Sequence, residues 1–383
     1  MATKKIGFVG CGDISWIYLT NVTKMFREIE VWGVCDLEPW KAERAVNVVK
    51  ETAEQMGCDL STFHLPKIYK DMHELFADPE IDIVLNITRP YQHFDVSMAA
   101  LKAGKHVYSE KPLAATKELG IQLVEYAKEH NLLLGGAPDT FMGAGIQTCR
   151  KLIEDGAIGK PVSIAGFILS HGMENWHPDP DFFFKFGGGP VFDMGPYYVT
   201  CMVNLIGSVD EVYAMSSRGN DTRMITSAPH FGETIDVEVD TNVVGLLRFE
   251  NGTIGTLTAS WDCYGLKGDR LEVVGTEGTI IVPDPNGFGG PVQLYRPEEG
   301  TMKEVPLMFN YKENSRALGL ADMAKSIDTG RKFRANCTQT YHVLEIMDGI
   351  VTSGKTHAAV KINSRFEPSA PMVRSLKPGV LED

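Results

Sequence analysis

The first 136 residues alternate short apolar runs with helical stretches, and no other feature restricts the fold as tightly. Strands are expected over residues 4–10, 30–36, 81–87, 105–109 and 131–136, and helices over about 14–28, 39–56, 91–103 and 116–129. Several strand runs are apolar at every position, as strands covered on both faces must be. Strand and helix in strict turn, with short links, predict a doubly wound parallel sheet.

After residue 137 the pattern changes. A helix is expected at about 143–155, then the strand-like "GKPVSIAGFILS", a loop rich in aromatics and glycine, and a helix near 194–206. Two long strands follow, "TIDVEVDTNVVGLLRFE" and "GTIGTLTASW", linked through Glu250-Asn251-Gly252. Asn-Gly between apolar runs is the strongest short hairpin signal. Strand pieces near 270–282 and 291–306 and helices at about 315–328 and 338–353 complete the chain. Successive strands with few helices between them predict a large, mostly antiparallel sheet in an α+β domain. A chain of 383 residues exceeds what one core usually supports, so two domains are expected, 1–136 and 137–383.

A net charge of −13 argues against nucleic-acid or anionic-membrane partners, which reward Lys and Arg. No run approaches the roughly 20 apolar residues that span a bilayer, and "IGFVG" is too short for a signal-peptide core. The seven cysteines are odd in number, scattered and without a CxxC pair, which points to reduced thiols in a cytoplasm.

The chemistry begins at Gly10-Cys11-Gly12-Asp13-Ile14-Ser15, between the first strand and the first helix. This is G-x-G-x-x-G/A with Ser15 in the third place. One glycine permits the tight turn, the next lets the backbone approach a pyrophosphate, and a small third residue packs helix on strand. Asp36 ends the second strand, where a carboxylate binds ribose hydroxyls and repels a 2′-phosphate, so NAD is favoured over NADP. The plain alternative is a solvated strand-end acid, and nearby Lys41 and Arg44 keep NADP open. Ligands of open α/β sheets sit outside the carboxyl ends of the strands. "NITRPYQH" (86–93) and "YSEKPL" (108–113) follow two such ends, which nominates Thr88, Pro90, His93, Glu110 and Lys111 for the same crevice.

The glycine turn, the acid after the second strand, "TRPYQH", "GKHVYSEKPLA", "GAIGKPV" and "GGGPVFDMGPYY" occur in this order over almost the whole chain. The combination resembles the glucose–fructose oxidoreductase and inositol dehydrogenase family, Gfo/Idh/MocA. The resemblance implies a dinucleotide-binding domain joined to an open-faced antiparallel sheet that mediates homodimers or homotetramers. It also implies hydride transfer between NAD and a secondary alcohol of a sugar, glycoside or cyclitol. The lysine of the EKP element corresponds to Lys111 and the aspartate of D-x-G to Asp193. The family's usual histidine is Tyr197 here, and some members carry tyrosine at that place.

Oxidising a carbinol requires a group within hydrogen-bond reach to take the hydroxyl proton. A free phenol, with a pKa of about 10, is a poor base near neutrality, and a neighbouring ammonium such as that of Lys111 favours the phenolate. Asp193 and Tyr197 are four apart and share a face if helical. The plainer readings are a helix N-cap for Asp193, a packing aromatic for Tyr197 and a strand-end lysine whose ammonium reaches solvent for Lys111. In the loop 170–190, His171, Trp176, His177 and Asp179 offer the aromatic faces and polar groups of a sugar pocket, or of a polar interface segment. His177 is a second candidate base. The histidine and aspartate spacing matches no zinc signature, so no metal is expected. Arg316 in "NYKENSRALGLADM" is a further pocket candidate. Two other readings stand beside the sugar dehydrogenase: a non-catalytic NAD-binding regulator of the same fold, and a reductase of imines or dihydrodiols.

Overall fold

In the computed structural model, which describes residues 3–265, 270–374 and 379–381, the chain forms two compact units. The first contains β1 (Lys4–Val9), α1 (Ser15–Lys24), β2 (Ile29–Cys35), α2 (Pro39–Gln55), β3 (Lys67–Ile68) and α3 (Met72–Ala77). It continues with β4 (Ile83–Asn86), α4 (His93–Lys102), β5 (His106–Ser109), α5 (Lys117–Glu129) and β6 (Leu134–Gly136). The six strands are parallel, in the order β3-β2-β1-β4-β5-β6. Ile6, Phe8, Ile83, Leu85 and Val107 have no exposed surface, which is why these runs lack polar alternation. The winding reverses between β1 and β4, so the carboxyl ends of these two strands open the crevice where such sheets bind ligands.

The second unit, Gly143–Met308 with His342–Pro368, starts with α6 (Ala144–Glu154), β7 (Pro161–Leu169), α7 (Gly189–Asp193) and α8 (Gly195–Ile206). Then come β8 (Val209–Ser217), β9 (Thr222–Met224), β10 (Thr234–Asp236), β11 (Asn242–Phe249) and β12 (Ile254–Ser260). β13 (Arg270–Gly275), β14 (Thr279–Val282), β15 (Val292–Tyr295), β16 (Met302–Val305) and β17 (Val360–Lys361) complete its strands, and α9 (Leu318–Thr329) and α10 (Cys337–Thr356) lie between β16 and β17 in sequence. Nine strands form one sheet, β16-β15-β14-β13-β7-β12-β11-β8-β17. Only the central β7–β12 pair is parallel. Gly166 on β7 lets the sheet approach α8 so closely that a Cβ there would lie 2.7 Å from Met202. Burial along β11 alternates strictly, and Val244 and Leu246 are exposed on the opposite face.

The expected hairpin at Glu250-Asn251-Gly252 joins β11 to β12, with Gly252 at φ +87° and the Thr253 N–H donating to Asn251 Oδ1. The long strand expected over 234–250 is two elements. β10 leaves the large sheet to pair with β9, because Ile235 and Val237 pack with Met173, Phe184, Ile225 and Trp261 in a small core of their own.

The packing boundary also differs from the expected one at 136/137. The first unit includes Phe309–Tyr341 and Ser369–Asp383, so α9 belongs with the parallel sheet. The Gly136 N–H donates to the Ala335 carbonyl, and a Cβ on Gly135 would lie 2.3 Å from that oxygen. Asp322 on α9, fully buried, accepts from Arg331 and Arg334 at 2.6 Å each and closes the returning segment on itself. No helix among the described residues is long and apolar enough to cross a membrane.

Candidate active site

At the carboxyl edge of the parallel sheet, Gly10 has φ +94°, and a Cβ there would lie 2.7 Å from the Ile87 carbonyl. The fold itself demands that glycine. Gly12 differs: a Cβ would meet nothing within 4 Å. Its small size is needed on the ligand side, where the backbone must come close to a diphosphate. The Ser15 hydroxyl donates to the Gly12 carbonyl at 2.6 Å and fixes the turn. α1 starts with no side-chain cap and no acid in its first turn, whereas Thr116 caps α5. Its N-terminal N–H groups and partial positive charge, about half a unit, suit an anion flanked by exposed Asp13 and Ile14.

Asp36 has partners within the fold itself. Its carboxylate accepts from the Cys11 N–H at 2.7 Å and the Glu38 N–H at 2.9 Å, tying the glycine turn to the end of β2. Both nearby cations are engaged: Lys41 pairs with Glu38, and Arg44 reaches the Cys11 carbonyl and Asp13. Thr88 and Pro90 lie where expected, after β4. Asn86, which the sequence reading passed over, holds that turn. Its Oδ1 accepts from the Thr88 hydroxyl at 2.7 Å, and its amide donates to the His93 carbonyl and Ser97.

His93 is not placed to contact a cofactor. It is 1% exposed, with Nδ1 at 2.7 Å from the Pro112 carbonyl and Nε2 at 3.0 Å from the Thr88 carbonyl. Burial holds the imidazole below its usual pKa. The neutral ring carries one N–H, so it donates to one of these carbonyls while its other nitrogen faces the second.

Glu110 is likewise turned inward. Its oxygens accept from the Tyr18 hydroxyl at 2.7 Å and the Lys111 N–H at 2.9 Å, while its own N–H donates to the Asn86 carbonyl. This buried acid thus fixes the backbone that carries Lys111, whose side chain is half-buried at the end of β5. Arg316 joins the first unit through the returning segment. Asn21 on α1 donates to the Asn314 and Arg316 carbonyls at 2.9 Å each, and Asp139 accepts the Gly319 N–H at 3.0 Å. Ala317, between them, has a left-handed φ of +83°.

In the second unit, His171 stacks on Tyr264 at 3.8 Å, and Trp176 is 63% exposed. His177 Nδ1 accepts the Asp179 N–H at 3.0 Å, and Phe182 and Phe183 flank the ring edge-on. Accepting at Nδ1 leaves Nε2 as the protonated nitrogen of the neutral ring. Asp193 ends α7 and does not cap α8, since the N-cap residue is Met194. Helical hydrogen bonds pass through Met194, to the Pro190 carbonyl and from the Tyr197 N–H, so Asp193 and Tyr197 keep their one-turn spacing. Tyr197 is 6% exposed.

A doubly wound sheet with an open glycine cradle, an uncapped helix and a strand-end acid defines a dinucleotide-binding protein, and its own residues fit that group. Residues 4–136 match the oxidoreductase family with an NAD-binding Rossmann fold, and residues 146–281 match the GFO/IDH/MocA C-terminal domain. Levoglucosan dehydrogenase of Pseudarthrobacter phenanthrenivorans is 26% identical over 84% of this chain and 88% of its own. Myo-inositol 2-dehydrogenase of Thermotoga maritima is 28% identical over 76% and 81%. The crystal structure of an NAD binding oxidoreductase from Klebsiella pneumoniae superposes with a TM-score of 0.78 at 23% identity, covering 95% of this chain and all of that one. The chain belongs to the Gfo/Idh/MocA family of Rossmann-fold oxidoreductases.

Proposed function

We propose that the protein is an NAD(H)-dependent dehydrogenase acting on a secondary alcohol of a sugar, glycoside or cyclitol, or reducing the corresponding oxo-sugar. The observation that carries this reading is the built support of Lys111. The Glu110 carboxylate accepts the Lys111 N–H and is itself held by the Tyr18 hydroxyl, while the Asn86 carbonyl accepts the Glu110 N–H, at the same sheet edge as the open cradle at Gly12. Relatives named for levoglucosan and myo-inositol support a polyhydroxylated substrate. Bound nicotinamide supplies the hydride acceptor. Lys111 supplies the positive charge that polarises the reacting oxygen. Tyr197 takes the hydroxyl proton and Asp193 orients the substrate; the ring of His177 is not an alternative base, because its Nδ1 already accepts the Asp179 N–H and its Nε2 carries the proton. His171, Trp176 and Asp179 contact its hydroxyls and C–H faces, and Arg316 adds a cationic contact.

NAD rather than NADP is favoured by Asp36 and Glu38 together, with Lys41 and Arg44 drawn into pairs of their own. Seven free thiols fit a reducing cytoplasm. The test is the absorbance of purified protein with NAD and a panel of sugars, glycosides and inositols. Growth of a reduced-nicotinamide band with one of them identifies the substrate. No response from a protein that binds NAD would overturn the proposal. Lys111→Ala should lower turnover at least 100-fold and leave the NAD Kd within about threefold. Normal turnover would remove Lys111 from the mechanism.

A further inference from the structure

The loop 170–181 carries three of the proposed substrate contacts, yet it has no regular secondary structure of its own until the short turn at 181–184. What holds it is a buried cation on the small hairpin. Arg223, on β9, has a side chain only 4% exposed. One guanidinium nitrogen donates to the His171 carbonyl and to Glu174 Oε1, both at 2.6 Å. The other donates to the Trp261 carbonyl at 2.9 Å and to the Asp262 carboxylate. The guanidinium also lies 5.3 Å from the centre of the Phe184 ring. The hairpin then grips the loop again: Thr226 and Ser227 N–H groups donate to the Glu174 carbonyl, and the Ser227 hydroxyl to that of His177.

This arrangement is poor as a stabilising device. Glu174 Oε2, Arg223 Nε and Trp261 Nε1 are buried without a partner among the described residues, and buried ion pairs are often replaceable by apolar side chains without loss of stability. Its distinguishing property is geometric, since only a planar fork satisfies two carbonyls and two carboxylates at once.

We propose that Arg223, with Glu174, is a positioning pair that fixes the shape of the loop bearing His171, Trp176 and His177, and thereby sets affinity for the polyhydroxylated substrate. This rests on the proposed function, in which that loop meets the substrate. The test uses the full-length protein and three variants: Arg223→Lys, Glu174→Gln, and the apolar double variant Arg223→Met with Glu174→Leu. Amide hydrogen exchange over 171–181 should rise at least tenfold in all three. On the substrate found in the panel, KM should rise at least tenfold, with kcat within threefold and the NAD Kd within twofold. The double variant should keep the wild-type melting temperature while losing affinity, a split that a merely structural role would not give. Unchanged exchange would show that the pair does not hold the loop. Raised exchange with an unchanged KM would show that the held loop does not set substrate affinity. Either result overturns the proposal. If the wild-type protein turns over nothing in the panel, the functional reading fails, and exchange still decides whether Arg223 holds the loop.

Discussion

Asp139 is 1% exposed, and burial raises its carboxyl from an ordinary value near 3.8 to about 6, against the opposing pull of the Gly319 N–H and the Arg316 charge. The Glu110 charge adds to the rise, and the Tyr108 hydroxyl lies close by, against Gly319. Since the folded protein holds this proton more tightly than the unfolded chain, Asp139 contributes full stability below about pH 3.8 and loses it as the pH climbs through about 6. Two pKa units amount to roughly 2–3 kcal/mol. Asp139→Asn removes the titration, so the stability difference between wild type and variant should shift by about that amount between pH 4 and pH 7. Urea unfolding at the two pH values measures it, and a pH-independent difference would refute the assignment. Nothing local marks Asp139 in the sequence. It is buried by Gly319, 180 positions away. The glycine turn was legible because its small residues lie at fixed spacing between a strand and a helix, although the contact that excludes a side chain at Gly10 comes from the distant Ile87 carbonyl. His93 was misjudged because its position beside the crevice was legible, but the two carbonyls that occupy its ring were not.

Elements were legible where one pattern dominates, as in the β11–β12 hairpin and five of the six parallel strands, the two-residue β3 being the exception. They were not where tertiary contacts choose the partner. β8 went unread, and β10 was merged with β11, because the alternation of Ile235 and Val237 with acids looks the same in either sheet. The turn from 311 to 317 is another such element, with left-handed φ at both Tyr311 and Ala317, residues that give no local hint of it. The amide of Asn21, 1% exposed, holds that turn through two 2.9 Å bonds. Asn21→Ala should therefore cost about 2–3 kcal/mol and speed amide exchange over 311–319. Exchange there equal to wild type would show that the turn is held by other contacts. The NAD Kd should stay within a few-fold of wild type, because the glycine turn and Asp36 do not depend on Asn21.

At the scale of the whole molecule, the pattern of two units was legible, but the return of residues 309–341 and 369–383 to the first unit was not, since α9 carries an ordinary helical pattern. The resemblance also implied that copies join through the large sheet, and this face supplies a reason. Met215, Val244, Leu246, Ile254 and Val274 are all exposed on its strands. Met215 faces Val244 across the β8–β11 pair, and Tyr213 faces Leu246, so these side chains are contiguous. Monomeric proteins rarely leave such a patch to water, and covering the exposed half of each aliphatic side chain is worth roughly 1 kcal/mol. We propose that a second copy covers it. Leu246, 49% exposed near the middle of β11, is the place to test this. Leu246→Glu sets a charge in that interface at small cost to the isolated chain, where about half of the side chain already meets water. Light scattering after size exclusion should give a dimer or tetramer for the wild type and a smaller species for the variant, with unchanged circular dichroism. A monomeric wild type, or a variant of the same mass, would mean that copies do not join through this face.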